Sequence, residues 1–136
     1  MGYVERCLWD YRDNLASIEI MREELAGLIS VQGQDFSMNG ANTICDPVPK
    51  VFERVMKLES GIQKAEKMTL PITRMVEGLC GNDLRIHQIR EILSMKYFEH
   101  EDKETVIRNA GISEKTYFLR IGEIKRIARK YFGEWA

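Results

Sequence analysis

A chain of 136 residues with 44% apolar content can bury a core and fits one compact domain or a small domain with an appendage. Its net charge of −1 is uninformative as a total, no apolar run approaches the ~18 residues of a membrane span, and an N-terminus carrying Glu5, Arg6 and Asp10 is not that of a signal peptide. Three cysteines, Cys7, Cys45 and Cys80, are odd in number and lack any Cys-x-x-Cys pair, which excludes a disulfide scaffold and points to reduced thiols in a cytosolic protein.

The first predicted element is a long amphipathic helix. Val4, Leu8, Tyr11, Leu15, Ile18, Met21, Leu25 and Leu28 recur in steps of three and four, as on a coiled-coil seam. Trp9 and Ile20 lie off that seam. Residues 30–49 carry Gly33, Asn39, Gly40, Asn42, Pro47 and Pro49 without periodicity and read as a long loop. A second helix begins near Pro49, with Asp46 as its cap, and presents Val51, Val55, Leu58, Ile62 and Ala65; facing the first it makes an antiparallel hairpin. Pro71 predicts a kink or break, and Gly78 and Gly81 mark the end. A third helix starts at Asn82 or Asp83 and runs through Ile86, Ile89, Leu93 and Tyr97. A short helix follows over Lys103–Ala110, then a long one from Glu114 to about Phe132. No segment alternates as a strand. The expected fold is all-α, a long antiparallel helical hairpin (1–80) followed by a C-terminal helix-turn-helix bundle (81–136).

The stretch "AGISEKTYFLRIGEI" carries the functional expectation. Gly111 supplies a turn residue tolerant of positive φ. Ile112 plugs the joint and Ser113 caps the next helix, with Thr116 three residues on. Val106, Ile107 and Ala110 face inward from the supporting helix. On a wheel at about 100° per residue, Tyr117, Ile121, Ile124, Ala128 and Tyr131 share the inner side. Opposite them stand Lys115, Leu119, Gly122, Arg126, Arg129 and Lys130, with Phe118 and Lys125 on a flank. A cationic face with a glycine in it suits a phosphate backbone. The charge is local: acids exceed bases up to Cys80, whereas Arg120, Lys125, Arg126, Arg129 and Lys130 face only Glu123 and Glu134 near the end. An amphipathic helix with a solvated basic face gives the same charge run; the capped turn beside it is what favours double-stranded DNA as partner.

The segment "REILSMKYFEHEDKETVIRNAGISEKTYFLRIGEIKRI" resembles region 4 of sigma-70-type factors. There a helix ending in a tyrosine-rich turn, "LSMKYF" here, leads into a supporting helix, "KETVIRNA", then "GIS" and a recognition helix. The order of parts over most of the chain resembles the RinA/ArpU-type transcription regulators of phages of Gram-positive bacteria, whose members activate late or packaging genes. That resemblance implies a phage-type DNA-binding regulator in a bacterial host cytoplasm, with host RNA polymerase as a further partner and a homodimer as an assembly. It places Lys115, Phe118, Leu119 and Gly122 at base-facing positions and Ser113 and Thr116 on phosphate. Lys103, at the head of the supporting helix, joins this DNA-binding set with Lys125, Arg126, Arg129 and Lys130. The sequence departs from sigma-like readers in showing Phe118 and Leu119 where Arg or Gln is common.

Enzyme chemistry is not expected, and neither a cofactor nor a catalytic residue is assigned. Glu23 and Glu24, and Glu99, Glu101 and Asp102, lie in stretches where solvation explains them. His87 and His100 form no metal-ligand motif with the cysteines. No phosphate-binding glycine loop or nucleophile elbow occurs. Two other readings remain: a ring-forming, small-terminase-like packaging subunit, and an interaction module that binds RNA polymerase or a sigma factor through Phe118 and Leu119 without reading DNA.

Overall fold

The structure, a computed structural model, describes residues 2–38 and 47–133. All elements among them are helical: α1 (Tyr3–Trp9), α2 (Tyr11–Met38), α3 (Pro47–Gly78), α4 (Leu84–Ile92), α5 (Lys103–Ala110) and α6 (Glu114–Tyr131). α4 runs on as a π-helical stretch over Leu93–Phe98. No helix among the described residues is long and apolar enough to cross a membrane. Asp46, Cys45, Glu134 and Trp135 lie outside the described residues.

The predicted loop is helical at both its ends. α2 continues to Met38, and α3 starts at Pro47. No proline lies within α2, and Gly33 costs a helix only about 1 kcal/mol. Pro47 and Pro49 fall in the first turn of α3, where a missing N–H removes no intrahelical bond. Of the kink or break expected at Pro71, the break does not occur, and α3 passes through it. Ile72 and Met75 are completely buried just beyond it, and the Tyr11 hydroxyl meets Thr73 Oγ1 at 2.6 Å. Two side chains buried at ~1.5–3 kcal/mol each offset the ~3 kcal/mol that an interior proline costs.

The single first helix predicted from Val4 onward is instead two, divided at Asp10. In an unbroken helix the Trp9 carbonyl would accept from the N–H of residue 13. Here it accepts from His100 Nε2 at 2.6 Å, and the two rings stack at 3.9 Å, 8° from parallel. Because a carbonyl can only accept, Nε2 carries the proton. His100 holds a left-handed φ of 58°, unusual for a residue with a side chain.

The chain divides into two compact units, one of residues 14–67, the other of Met1–Asp13 with Met68–Ala136. The unit that contains α4–α6 also includes α1 and the end of α3. In the 14–67 unit, Ile18, Ile62 and Ala65 form a small core against Met21 and Leu25. Gly61 lets α3 approach Met21, whose Sδ would stand 2.9 Å from a Cβ there. Arg22 pairs with Glu66 and Arg54 with Glu24, both at 2.5 Å and both in solvent, so each contributes little. Ile20, off the seam, is exposed.

The other unit has the larger core. Val4, Cys7 and Leu8 of α1 meet Ile72, Met75 and Leu79 of α3, Ile89 and Ile92 of α4, and Leu93 and Tyr97 of the π-helical stretch. Val106 of α5 and Tyr117, Ile121, Ile124 and Ala128 of α6 complete it. Asp83 caps α4 by accepting from the Arg85 N–H, and Arg90 donates to the carbonyls of Leu79 and Gly81. Cys7 and Cys80 are free thiols; burial pushes the Cys7 thiol above its ordinary value.

Candidate nucleic-acid interface

Three local caps fix the geometry of α5 and α6. Asp102 opens α5, its carboxylate accepting from the Thr105 N–H at 2.8 Å. Hydrogen bonding from Thr105, side chain and backbone, holds that carboxyl below its usual range. Gly111 closes α5 at φ 66°, ψ 39°, the left-handed geometry that only glycine adopts cheaply. Its N–H and that of Ile112 both donate to the Ile107 carbonyl. Ser113 then opens α6: its hydroxyl accepts from the Thr116 N–H at 3.1 Å and donates to Thr116 Oγ1 at 3.0 Å. Val106 is buried, Ile107 and Ala110 half-buried, and Ile112 packs against the core.

The inner side of α6 is as its spacing predicts, except at the last turn. Tyr117, Ile121, Ile124 and Ala128 are buried. Tyr131, predicted inward, is 41% exposed and lies across Gly78, its hydroxyl where a Cβ would otherwise stand. Ala128 is the last fully buried residue of α6, and beyond it Phe132 is only partly buried, edge-on to Tyr3. Sequence reasoning missed Glu123, which is buried with its carboxylate held by two guanidinium groups. Arg120 Nη1 donates to Glu123 Oε1 at 2.5 Å, Arg85 Nε donates to Oε2, and Arg120 Nε donates to Gln88 Oε1 at 2.9 Å. Burial alone would raise the Glu123 carboxyl; the hydrogen bonds from Arg120 and Arg85 outweigh it and hold the carboxyl below its ordinary value. The i, i+3 spacing of Arg120 and Glu123 was a visible signal, but the partnership with Arg85 was not.

The residues singled out in the sequence separate into two groups. Lys103 and Lys125 are committed within the fold. Lys103 Nζ reaches Glu114 Oε1 at 3.1 Å and sits 5.5 Å over the Phe118 ring. Lys125 pairs with Glu5 of α1 at 2.5 Å. Ser113 and Thr116 are engaged in the cap. By contrast Lys115, Arg126, Arg129 and Lys130 are exposed, and none forms an ion pair among the described residues. They share the outer side of α6 with Phe118 and Leu119, 55% and 57% exposed. Gly122 lies at the middle of that side, and a Cβ there would meet nothing within 4 Å.

A groove of about 320 Å³ flanks this face, lined by Trp9, Tyr97, Tyr117, Phe118 and Ile121 with Lys96, Lys103, Lys125 and Glu5. Its lysines are engaged: Lys96 lies over the rings of Tyr97 and Tyr117, at 5.5 and 5.8 Å, and the other two are ion-paired. The unpaired positive charge of α6 is therefore on its outer face, not in the groove. Comparison with protein-family models, curated proteins and solved structures yields no match to this chain.

Proposed function

We propose that the chain is a DNA-binding regulator of transcription in which α5, the Gly111 turn and α6 act as a helix-turn-helix. α6 enters the major groove with its outer face, and Arg126, Arg129 and Lys130 take backbone phosphates. The observation that carries this reading is the unpaired cationic face centred on Gly122 and set beside a capped turn. Favourable interaction with the helix dipole explains Arg129 and Lys130 in the last turn. It does not explain Arg126 in the body of the helix, nor Lys115 at the positive end, where a cation is disfavoured. The sigma-like order of helices supports the same reading, and with it a phage-type activator of late or packaging genes that works with host RNA polymerase.

The contacts of Met21 with Gly61 and of Arg22 with Glu66 support α2 and α3 as an antiparallel hairpin. Ile20, Phe52 and Met56 are each more than half exposed on that hairpin. They favour a second copy of the chain as its partner, the arrangement by which such proteins read paired half-sites. The test is a salt-titrated binding assay on duplex DNA with the double variant Arg126→Glu/Arg129→Glu. Wild-type affinity falls with salt. The variant, both of whose changes are at exposed and unpaired side chains, keeps its helical signal and loses binding, with a log K–log salt slope shallower by roughly 0.9 per phosphate contact removed. Unchanged binding by a folded variant refutes the proposal.

A further inference from the structure

The part of a recognition helix that meets base edges is its N-terminal half. In α6 the outward groups there are Lys115, Phe118, Leu119 and Gly122, since Ser113 and Thr116 are used in the cap and Glu114 is paired with Lys103. This set contains one hydrogen-bond donor and no amide, guanidinium or free carboxylate. Lys115 alone among them can reach a guanine, and no amide is present for the bidentate contact by which adenine is usually read. The set offers two apolar side chains and a gap.

Each of these choices is locally unfavourable. Phe118 and Leu119 expose apolar surface, Gly122 weakens a helix interior where nothing in the fold needs the space, and Lys115 sits at the wrong end of the helix dipole. Local rules broken together on one face mark a functional surface. Phe118 is also held in place: the Tyr117 ring meets it edge-on at 5.3 Å and Lys103 covers it from α5.

We infer that α6 reads thymine, through the C5-methyl groups that Phe118 and Leu119 contact in the major groove, with Gly122 admitting the helix to the necessary depth. The methyl of thymine is the apolar feature of that groove. The target class is therefore duplex DNA with clustered thymines, with Lys115 available to an adjacent guanine. This rests on α6 being the DNA-reading helix and adds the chemistry that it reads.

The experiment takes a duplex selected from a random pool by the wild-type protein and compares it with the same duplex carrying deoxyuridine for thymidine. A buried methyl is worth roughly fourfold in affinity, so loss of several methyls weakens wild-type binding by about tenfold or more. The double variant Phe118→Ser/Leu119→Ser melts like wild type, both side chains being exposed, and binds the two duplexes equally. Equal binding of thymine and uracil duplexes by the wild-type protein overturns the inference and leaves DNA binding intact. Discrimination that survives in the double variant overturns the assignment to Phe118 and Leu119. Failure to select any duplex overturns the DNA-binding proposal itself, and this inference with it.

Discussion

Replacing Gly122 by Ala should make the protein more stable and a poorer DNA binder. The stability gain follows from the structure. Gly122 is in the interior of α6 with no positive φ, and an added Cβ meets nothing within 4 Å. No steric cost then opposes the helix-propensity difference between Gly and Ala, about 0.8–1.0 kcal/mol. For a chain of this size that raises Tm by roughly 3–5 °C, which circular dichroism at 222 nm resolves. The binding loss follows from position. On the helical wheel Lys115, Phe118, Arg126 and Arg129 all fall within about 40° of Gly122, so a methyl there stands where the groove floor must approach. Intrusion of one methyl into a close-packed contact costs about 1–3 kcal/mol, or roughly fivefold to a hundredfold in affinity for the duplex selected by the wild-type protein. Fluorescence anisotropy at fixed salt measures it. A variant that gains stability and binds DNA as tightly as wild type refutes the placement of Gly122 against DNA. A variant that loses stability refutes the reading of open space around it.

Gly111→Ala should destabilise by about 1–2 kcal/mol, because the left-handed backbone is the only obstacle at a position with no neighbour within 4 Å. Gly111→Asn should lose less, since Asn tolerates that region; equal losses in thermal melts would locate the effect elsewhere. Glu123→Gln should cost about 1–3 kcal/mol, as it removes the charged acceptor of two guanidinium groups. The Glu123 carboxyl is depressed in the folded state, so its contribution is complete above the unfolded value, about 4.3, and is lost as pH falls through the folded value. Urea midpoints of wild type and Glu123→Gln should therefore converge as pH drops below about 4; a gap that stays constant to pH 2 contradicts the assignment.

What was legible in the sequence was what neighbouring residues decide. The bounds of α5 and the start of α6 follow from Gly111 and Ser113, whose effects reach three or four positions along the chain. The inner side of α6 follows from the spacing of Tyr117, Ile121, Ile124 and Ala128, because a helix on a core repeats every three to four residues. What was illegible depends on distant partners. The break at Asp10 has its cause at His100, which takes the Trp9 carbonyl from 91 positions away. The passage of α3 through Pro71 depends on the burial of Ile72 and Met75 beneath other helices. Tyr131 fits the inward pattern, yet Ala128, a turn before it, is the last fully buried residue of α6. The π-helical stretch at Leu93–Phe98 has no local signature that periodicity detects, and Leu93 and Tyr97 are buried at an ordinary four-residue step.

Charge shows the same division most clearly, and it changes the functional argument. In the sequence Arg120, Lys125, Arg126, Arg129 and Lys130 are one basic run, and a run of that length is as easily a solvated surface as a ligand site. In the fold Arg120 belongs to the buried carboxylate of Glu123, and Lys125 belongs to Glu5 on α1. These two cations hold α6 to its neighbours and have little left for a polyanion. Arg126, Arg129, Lys130 and Lys115 have no such partner among the described residues, and they lie with Gly122 on one side of the helix. A solvated surface would need no such separation, because acids and bases would be interspersed around it. Among the described residues Glu123 is used inward, Glu5 and Glu114 are paired with Lys125 and Lys103, and the outer face is left positive. That separation of charge, with Phe118 and Leu119 exposed on the same side, is what supports the proposed approach of α6 to the major groove.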